Sequence, residues 1–169
     1  LLASAVLKHY PDAKRAIGPA IDNGFYFDFK FSRPISESDL PKIEATMREM
    51  LPSFKEFKKV MLSKEDAKKH YAGNPYKLEL VEEFSPTGEE LSFYQTGEYM
   101  DLCKGGHADS IADIDPESFK LTHLAGAYWR GDEKNDMLTR MYGLAFSTKE
   151  ELLAYEKMRE EAKARDHKK

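Results

Sequence analysis

The residues best suited to chemistry lie at positions 99–107, with the sequence Tyr-Met-Asp-Leu-Cys-Lys-Gly-Gly-His. This stretch contains the only cysteine, Cys103, and a histidine four positions later, His107. The alternation of a strand places Tyr99, Asp101 and Cys103 on one face and apolar residues on the other. The two glycines before His107 permit a tight turn, which brings the imidazole back towards Cys103. A carboxylate, a thiol and an imidazole in a small space suit a metal site or polar catalysis.

The pair of Cys103 and His107 also has a plain structural interpretation. Structural zinc sites usually have four protein ligands, often in two short spacings, whereas this stretch supplies two. A single cysteine is commonly a small, buried and inert residue. From these residues alone, a functional site and a structural role stay open as equal alternatives.

Length and composition restrict the class of protein. The 169 residues fit one domain, or one domain with an inserted lobe, and can bury a sizeable core. With 41% hydrophobic and 33% charged residues, the chain is globular. Its formal net charge of −4 argues against a broad basic surface for nucleic acid and still allows contact with a few phosphates.

The same features predict a location and a boundary. One cysteine rules out an internal disulfide framework and fits a reducing compartment, so we expect a cytoplasmic protein. No apolar run approaches about 20 residues, so no membrane span is expected. The chain opens at Leu1 inside an apolar segment without an N-cap, which predicts a fragment whose first helix continues upstream.

Hydrophobic periodicity predicts the order of helices and strands. We expect helices over residues 1–10, 36–51, 63–71 and 147–166, and strands over 25–31, 54–62, 89–95 and 137–146. Asn23-Gly24 signals a hairpin before the strand 25–31. The phenylalanines of that strand face the core, which leaves Tyr26 and Asp28 on the other side, where they could border a cleft. The predicted fold is α+β: a mainly antiparallel sheet packed with helices, plus a smaller α/β lobe and a long C-terminal helix.

The last predicted helix has its own signals. A capping box, Ser-Thr-Lys-Glu at residues 147–150, opens it. Leu152, Leu153, Tyr155 and Met158 are expected to give it one apolar side.

Three further residues have two interpretations each. Charge statistics alone make Lys77 a solvated lysine. Trp129, the only tryptophan, is expected to anchor a core rather than to stack on a base. Arg130 follows it and could bind a phosphate or pair with an acid.

Several motifs occur together in one order along the chain. They are Ala16-Ile-Gly-Pro, Asp22-Asn-Gly-Phe-Tyr26, Tyr99-Met-Asp-Leu-Cys103 with Gly105 and His107, Ala125-Gly-Ala-Tyr-Trp-Arg-Gly-Asp132, and Met141-Tyr-Gly143. In these motifs the chain resembles the second N-terminal domain of bacterial-type threonyl-tRNA synthetases, which shares an editing superfamily with the alanyl-tRNA synthetase editing domain. The resemblance covers essentially all 169 residues, and the motif at 125–132 is its most specific part.

The resemblance implies a set of catalytic residues. Cys103 and His107 match the second half of a family pattern whose first half, His-x3-His, precedes the residues that match the start of this chain. Asp101 matches an acidic position of the editing pocket, and Lys77 matches a catalytic lysine. The implied catalytic residues are therefore Lys77, Asp101, Cys103 and His107. Cys103 and His107 would also be the metal ligands if zinc binds, as in alanyl relatives, although we expect no obligatory metal in a threonyl type.

Substrate binding is assigned to three residues. Asp101 would orient the amino group of serine by opposite charge. Tyr26 would border the cleft, and Arg130 would contact a phosphate. Phe27 stands where some family members have a tyrosine, so this chain departs from those members there.

The implied function is hydrolysis of serine wrongly attached to threonine tRNA, a proofreading step of translation. A missing methyl group gives a pocket only about 10–200-fold discrimination, so a synthetase needs a second site. Lys77 and the histidines would position or activate the water and stabilise the oxyanion. The expected partners are the acceptor end of tRNA(Thr) and the other domains of a homodimeric parent synthetase, which binds ATP outside this chain.

The resemblance also suggests domain boundaries. Residues 1–146 would be the editing-type domain, with an inserted α/β lobe at about 33–82, and residues 147–169 a helix and linker towards an aminoacylation domain. Two other functions stay open. One is a module that binds the tRNA acceptor end without chemistry. The other is an alanyl-type editing protein with zinc, against which the threonyl-like motifs and the basic C-terminal residues argue.

Overall fold

A computed structural model describes residues 1–102 and 114–167. Within these ranges, the α-helices and strands are, in order, α1 (Leu2–His9), β1 (Lys14–Arg15), β2 (Ala20–Ile21), β3 (Gly24–Lys30), α2 (Leu40–Met50), β4 (Lys58–Leu62), α3 (Lys64–His70), α4 (Pro75–Phe84), β5 (Leu91–Thr96), β6 (Tyr99–Leu102), β7 (Phe119–Tyr128), β8 (Met137–Ala145) and α5 (Lys149–His167). All strand pairs in these ranges are antiparallel, which confirms the predicted α+β fold. No helix described here has both the length and the apolar character needed to cross a membrane.

The larger sheet has five strands, and β3 lies near its middle. Both β1 and β2 pair with one side of β3, and β8 and then β7 follow on its other side. Helices α1 and α2 contribute to the core on one face of this sheet. Phe29 of β3 and Met141 of β8 are fully buried against Val6, Ile43 and Met47 of the two helices. The predicted apolar face of β3 is therefore confirmed.

The smaller sheet has three strands in the order β4, β5 and β6. Its core joins α3 and α4 to the sheet through Ala67, Tyr71, Val81, Leu91 and Phe93. These elements run from residue 58 to residue 102, further along the chain than 33–82. The division of the chain into a main domain and an inserted lobe remains a prediction.

Helix α4 connects the two sheets, although the residues after Pro75 were not predicted to form a helix. Tyr76 and Leu80 pack with Trp129 and with Leu138 of β8. On a neighbouring side of the same helix, Val81 belongs to the core of the smaller sheet. Trp129 is thus a core anchor, as predicted, and it fixes α4 between the sheets.

The hairpin that leads into β3 is confirmed, but its turn lies one position earlier than predicted. Ile21 pairs with Gly24, so the two turn residues are Asp22 and Asn23. Asn23 adopts the left-handed conformation, with φ of 62°, which asparagine tolerates better than most residues. Gly24 is already a strand residue, since it pairs with Ile21 and Leu144, and glycine is needed there because a Cβ would lie 2.0 Å from the carbonyl oxygen of Gly143.

Helix α5 is long, as predicted, but its cap and its buried side differ from the prediction. The backbone N–H of Glu151 donates to Oγ1 of Thr148 at 3.2 Å, so the capping hydroxyl lies one residue after Ser147. Leu152 is buried, whereas Leu153 and Met158 are exposed. The prediction of one apolar side is wrong because adjacent helical residues point about 100° apart, so Leu153 cannot share the face of Leu152.

This difference gives a stability prediction with a built-in control. Leu152 is 4% exposed and Leu153 is 53% exposed. Leu152→Ala should lower the free energy of unfolding by about 2–4 kcal/mol, because it leaves a cavity, and Leu153→Ala by less than about 0.5 kcal/mol. Urea unfolding of the two variants measures both values. Equal losses of unfolding free energy in the two variants would show that α5 does not pack through Leu152 alone.

Candidate functional site

A cavity of about 1000 Å³ is lined by residues from both sheets and from α4. Most of its wall is apolar, with contributions from Phe25, Phe27, Phe54 and Phe84. Two charged side chains are among its described lining residues, and both were predicted as catalytic: Lys77 of α4 and Asp101 of β6. The structure therefore brings these two predicted residues together in one place.

Asp101 lies at the centre of a group of polar side chains, which we call the Asp101 cluster. Its Oδ1 accepts a hydrogen bond from the Tyr71 hydroxyl and lies 3.1 Å from Nζ of Lys77. Its Oδ2 accepts a hydrogen bond from the Tyr99 hydroxyl at 3.0 Å and lies 3.5 Å from Nη1 of Arg15. The cluster thus consists of Asp101, Lys77, Arg15, Tyr71 and Tyr99.

The cluster fixes the protonation states of its members. Burial alone would raise the pKa of the Asp101 carboxyl, but Lys77 and Arg15 together hold it below its ordinary value. Burial raises the pKa of both Tyr71 and Tyr99, and the charge of Asp101 raises each further. Both phenols therefore remain protonated and donate to an ionised carboxylate. The cluster has one more positive charge than negative charge.

Lys77 is held by the first turn of α4. Oδ1 of Asn74, the N-cap residue, accepts a hydrogen bond from the backbone N–H of Lys77 at 3.2 Å. Nδ2 of the same Asn74 donates to the carbonyl oxygen of Arg15 at 2.8 Å, which joins α4 to β1. Lys77 is only 4% exposed, so the prediction of a solvated lysine is wrong. A cation in the first turn opposes the helix dipole, and the contact with Asp101 offsets this cost.

Sequence analysis missed two members of the cluster, Arg15 and Tyr71. The guanidinium of Arg15 donates to the carbonyl oxygen of Met100 at 3.1 Å and lies over the rings of Tyr71 and Tyr99, 5.5 and 5.2 Å from their centroids. Local sequence offers no signal for these contacts. The start of α4, in contrast, does have a local signal: an N-cap asparagine followed by proline, here Asn74-Pro75, is typical of a helix start.

The structure also places Tyr26 at the cavity, as predicted, but not Asp28. Tyr26 is among the lining residues, and its ring centroid lies 4.0 Å from the guanidinium of Arg140. Asp28 is buried and binds Arg140 through two hydrogen bonds of 2.8 and 3.0 Å. Phe27 has its ring centroid 5.9 Å from Nζ of Lys77. The interpretation of Asp28 as a residue bordering the cleft is therefore wrong.

Arg130 makes ion pairs with acids of α4. Its Nε lies 2.9 Å from Glu79, and its Nη2 lies 2.5 Å from Glu83. Trp129 donates from Nε1 to Glu79 at 2.6 Å, so the two adjacent residues hold the same side of the helix. Arg130 is not among the residues that line the cavity, and its predicted contact with a phosphate remains a prediction.

The predicted catalytic and metal-binding residues Cys103 and His107 lie outside the described residues. Within 1–102 and 114–167, no three His, Cys, Asp or Glu side chains are grouped so that they could hold a metal ion. In these ranges the site therefore provides an ammonium group in an apolar wall, held in place by a carboxylate. Such a group can stabilise negative charge that develops on a bound substrate.

Comparisons with known proteins show which family this chain is similar to. Residues 91–142 match the model of the family described as the threonyl and alanyl tRNA synthetase second additional domain. The chain is 49% identical to the threonine–tRNA ligase of Borrelia hermsii, 48% to that of Borrelia turicatae and 47% to that of Borrelia garinii subsp. bavariensis. Each alignment covers 100% of this chain and 29% of the relative. The chain thus spans less than a third of the length of these relatives.

Proposed function

We propose that this chain, which matches the threonyl and alanyl tRNA synthetase second additional domain over residues 91–142 and is similar to threonine–tRNA ligases over its whole length, is an editing domain that removes serine from mischarged tRNA(Thr). The reaction is hydrolysis of the ester between the serine carboxyl carbon and a ribose oxygen of the terminal nucleotide. The observation that best supports this proposal is the buried ion pair of Lys77 and Asp101 in the cavity wall.

Lys77 is the proposed stabiliser of the oxyanion. Water adds to the ester carbonyl carbon, and the carbonyl oxygen becomes negative. The ammonium group of Lys77 donates a hydrogen bond to that oxygen. The bond to the ribose oxygen then breaks, and this oxygen takes up a proton that came from the water. Because the cavity wall is mostly apolar, the ammonium group acts with little competition from solvent.

The contacts of Asp101 support a positioning role for it. Five donor groups contact its two oxygens: two hydroxyls, two cationic groups and the backbone N–H of Leu102. A carboxylate has about four lone-pair sites, so its accepting capacity is used. We propose that Asp101 holds Lys77 in place. Direct binding of the serine amino group, as the resemblance implies, would need one of these donors to move.

The other predicted site residues receive different roles. Tyr26 remains a proposed substrate contact, because it lines the cavity. For Arg130 we propose support of α4, because two carboxylates of that helix already bind its guanidinium. His107 is proposed to accept the proton from water, and Cys103 to shape the pocket or bind zinc with His107.

The size of the substrate gives the selectivity. Serine and threonine differ by one methyl group, and a pocket closed around serine excludes the larger side chain by steric overlap. In the complete gene product we expect hydrolysis of seryl-tRNA(Thr) to be faster than that of threonyl-tRNA(Thr) by about 100-fold. Release of labelled amino acid from each charged tRNA measures the ratio. Hydrolysis of both at the uncatalysed rate would refute the proposal.

That experiment also separates the alternatives. If an acceptor-stem RNA hairpin binds but no ester is hydrolysed, the chain is a binding module. If hydrolysis requires zinc and seryl-tRNA(Ala) is preferred, the alanyl type applies. The match of the whole chain to threonine–tRNA ligases favours the threonyl type.

The properties of a whole synthetase are also proposals, because the chain spans 29% of each relative. From the name of the relatives we propose that the gene product charges tRNA(Thr) with threonine at the expense of ATP. We further propose contacts with the other synthetase domains, a homodimer and a cytoplasmic location.

A further inference from the structure

Lys59 of β4 lies in one row with two residues that line the cavity. It pairs with Tyr94 of β5, and Tyr94 pairs with Asp101 of β6. Directly paired residues point to the same face of a sheet, and neighbouring strands are about 4.8 Å apart. The Cα atoms of Lys59 and Asp101 are therefore about 10 Å apart, and both side chains lie on the face that borders the cavity. Tyr94 stands between them.

This position is at the open edge of the smaller sheet. Among the described strands, β4 is an outer strand of the three. Phe57, two residues before Lys59, lines the cavity. Met61, two residues after it, is 49% exposed. On the other face of β4, Val60 and Leu62 pack against the core with α3. Lys59 is itself exposed and is not a lining residue, so it lies beside the part of the wall that Phe57 and Tyr94 form.

The charge of Lys59 is not neutralised within the sheet. In the part of the chain that the structure describes, Lys59 has no ion pair, whereas Lys64 and Lys68 of α3 both pair with Glu82. The Asp101 cluster, at the β6 end of the row, has one more positive charge than negative charge. A polyanion that enters along the row would meet a cation first, then an aromatic ring, then the cluster. This order suits the phosphates and bases of a single RNA strand.

We propose that Lys59 binds a backbone phosphate of the tRNA acceptor end and guides its terminal ester past Tyr94 to the Asp101 cluster. This inference rests on the proposed editing function and adds a binding residue at the cavity mouth. Lys59 acts on the bound polyanion and does not take part in the bond changes. Its loss should therefore weaken binding and leave the chemical step unchanged.

The test compares Lys59→Glu with Lys58→Glu in the complete gene product. Lys58 is exposed on the same strand but points to the opposite face, so it is a matched control for charge and for strand stability. For Lys59→Glu we expect KM for seryl-tRNA(Thr) hydrolysis to rise about ten-fold, with kcat within about two-fold. Lys58→Glu should change KM by less than about two-fold. Lys59→Gln should shift KM in the same direction by a smaller factor.

A second measurement does not depend on catalysis. Binding of an acceptor-stem RNA hairpin is followed by fluorescence anisotropy as the salt concentration is varied. Loss of one phosphate contact should reduce the slope of log K against log[salt] by about one for Lys59→Gln and leave it unchanged for Lys58→Gln. Equal effects of the two positions, or an effect of Lys59 on kcat alone, would overturn the inference. If the wild type binds the hairpin but hydrolyses no ester, the editing proposal fails and the salt slopes alone decide the role of Lys59.

Discussion

Lys77→Met should lower kcat for seryl-tRNA(Thr) hydrolysis by about 10²–10³-fold, because it removes the proposed donor to the oxyanion. Methionine keeps most of the volume and the apolar contacts, so the cavity wall stays filled. The Asp101 carboxylate keeps Arg15 and two phenol donors, so its charge remains paired. KM should change little, since the interaction forms mainly in the transition state. Single-turnover hydrolysis in the complete gene product measures the effect.

The control for this variant is Lys64→Met. Lys64 begins α3 and pairs with Glu82 at 2.8 Å, and it is not among the residues that line the cavity. Its kcat should stay within about two-fold of the wild type. Lys77→Arg adds a further check, because arginine keeps the charge but places its donors elsewhere, so it should recover only part of the rate. A rate for Lys77→Met close to that of the wild type would remove Lys77 from the mechanism.

The elements that sequence reasoning predicted correctly have strong local patterns. Strand β3 alternates phenylalanine with polar residues, and its turn contains Asn23, so pattern and turn chemistry agree. The apolar spacing of Ile43, Met47 and Leu51 fits a helical face, and all three are buried. In these segments the pattern of residue types within one element is enough to predict the element and its buried face.

Helix α4 shows how one signal can have two meanings. Gly73, Asn74 and Pro75 follow α3, and a glycine and a proline so close together predict the end of a helix. The same Asn74 caps the next helix, and Pro75 is its first residue. Because the helix was not predicted, charge statistics placed Lys77 in solvent. The resemblance to the synthetase domain assigned it to the site, and in the structure its side chain is buried in the cavity wall beside Asp101.

The Asp101 cluster was only partly predictable, because its contacts connect distant parts of the chain. Tyr71 lies 30 positions before Asp101, and Arg15 lies 85 positions before Met100, whose carbonyl oxygen it binds. No periodicity or spacing rule connects such residues, since they meet only when β1, α3 and β6 come together. The alternation of β6 correctly placed Tyr99 beside Asp101, but the partners of the carboxylate needed the tertiary structure.

Asp101→Asn should have the largest effect on stability of the changes considered. Lys77 and Arg15 have side chains that are 5% and 11% exposed, and both use Asp101 as a counter-charge. A neutral amide leaves two buried cations without their counter-charge, so the free energy of unfolding at pH 7 should fall by about 3–5 kcal/mol. Urea unfolding of the 169-residue chain measures the loss. Glu65→Gln, an exposed change in the first turn of α3, should cost less than about 0.5 kcal/mol.

The pH dependence of this difference identifies its cause. The pKa of Asp101 is lower in the folded state than its ordinary value of 3.8, because Lys77 and Arg15 outweigh the effect of burial. The ionised carboxylate therefore stabilises the fold fully above that ordinary value, and the contribution is lost as the pH falls below about 4 through the lowered pKa. The gap between wild type and Asp101→Asn should be constant from about pH 7 to pH 5 and narrow in more acidic solution. A gap that widens on acidification would mean that Asp101 is not held ionised by its two cations, and the positioning role proposed for it would fail.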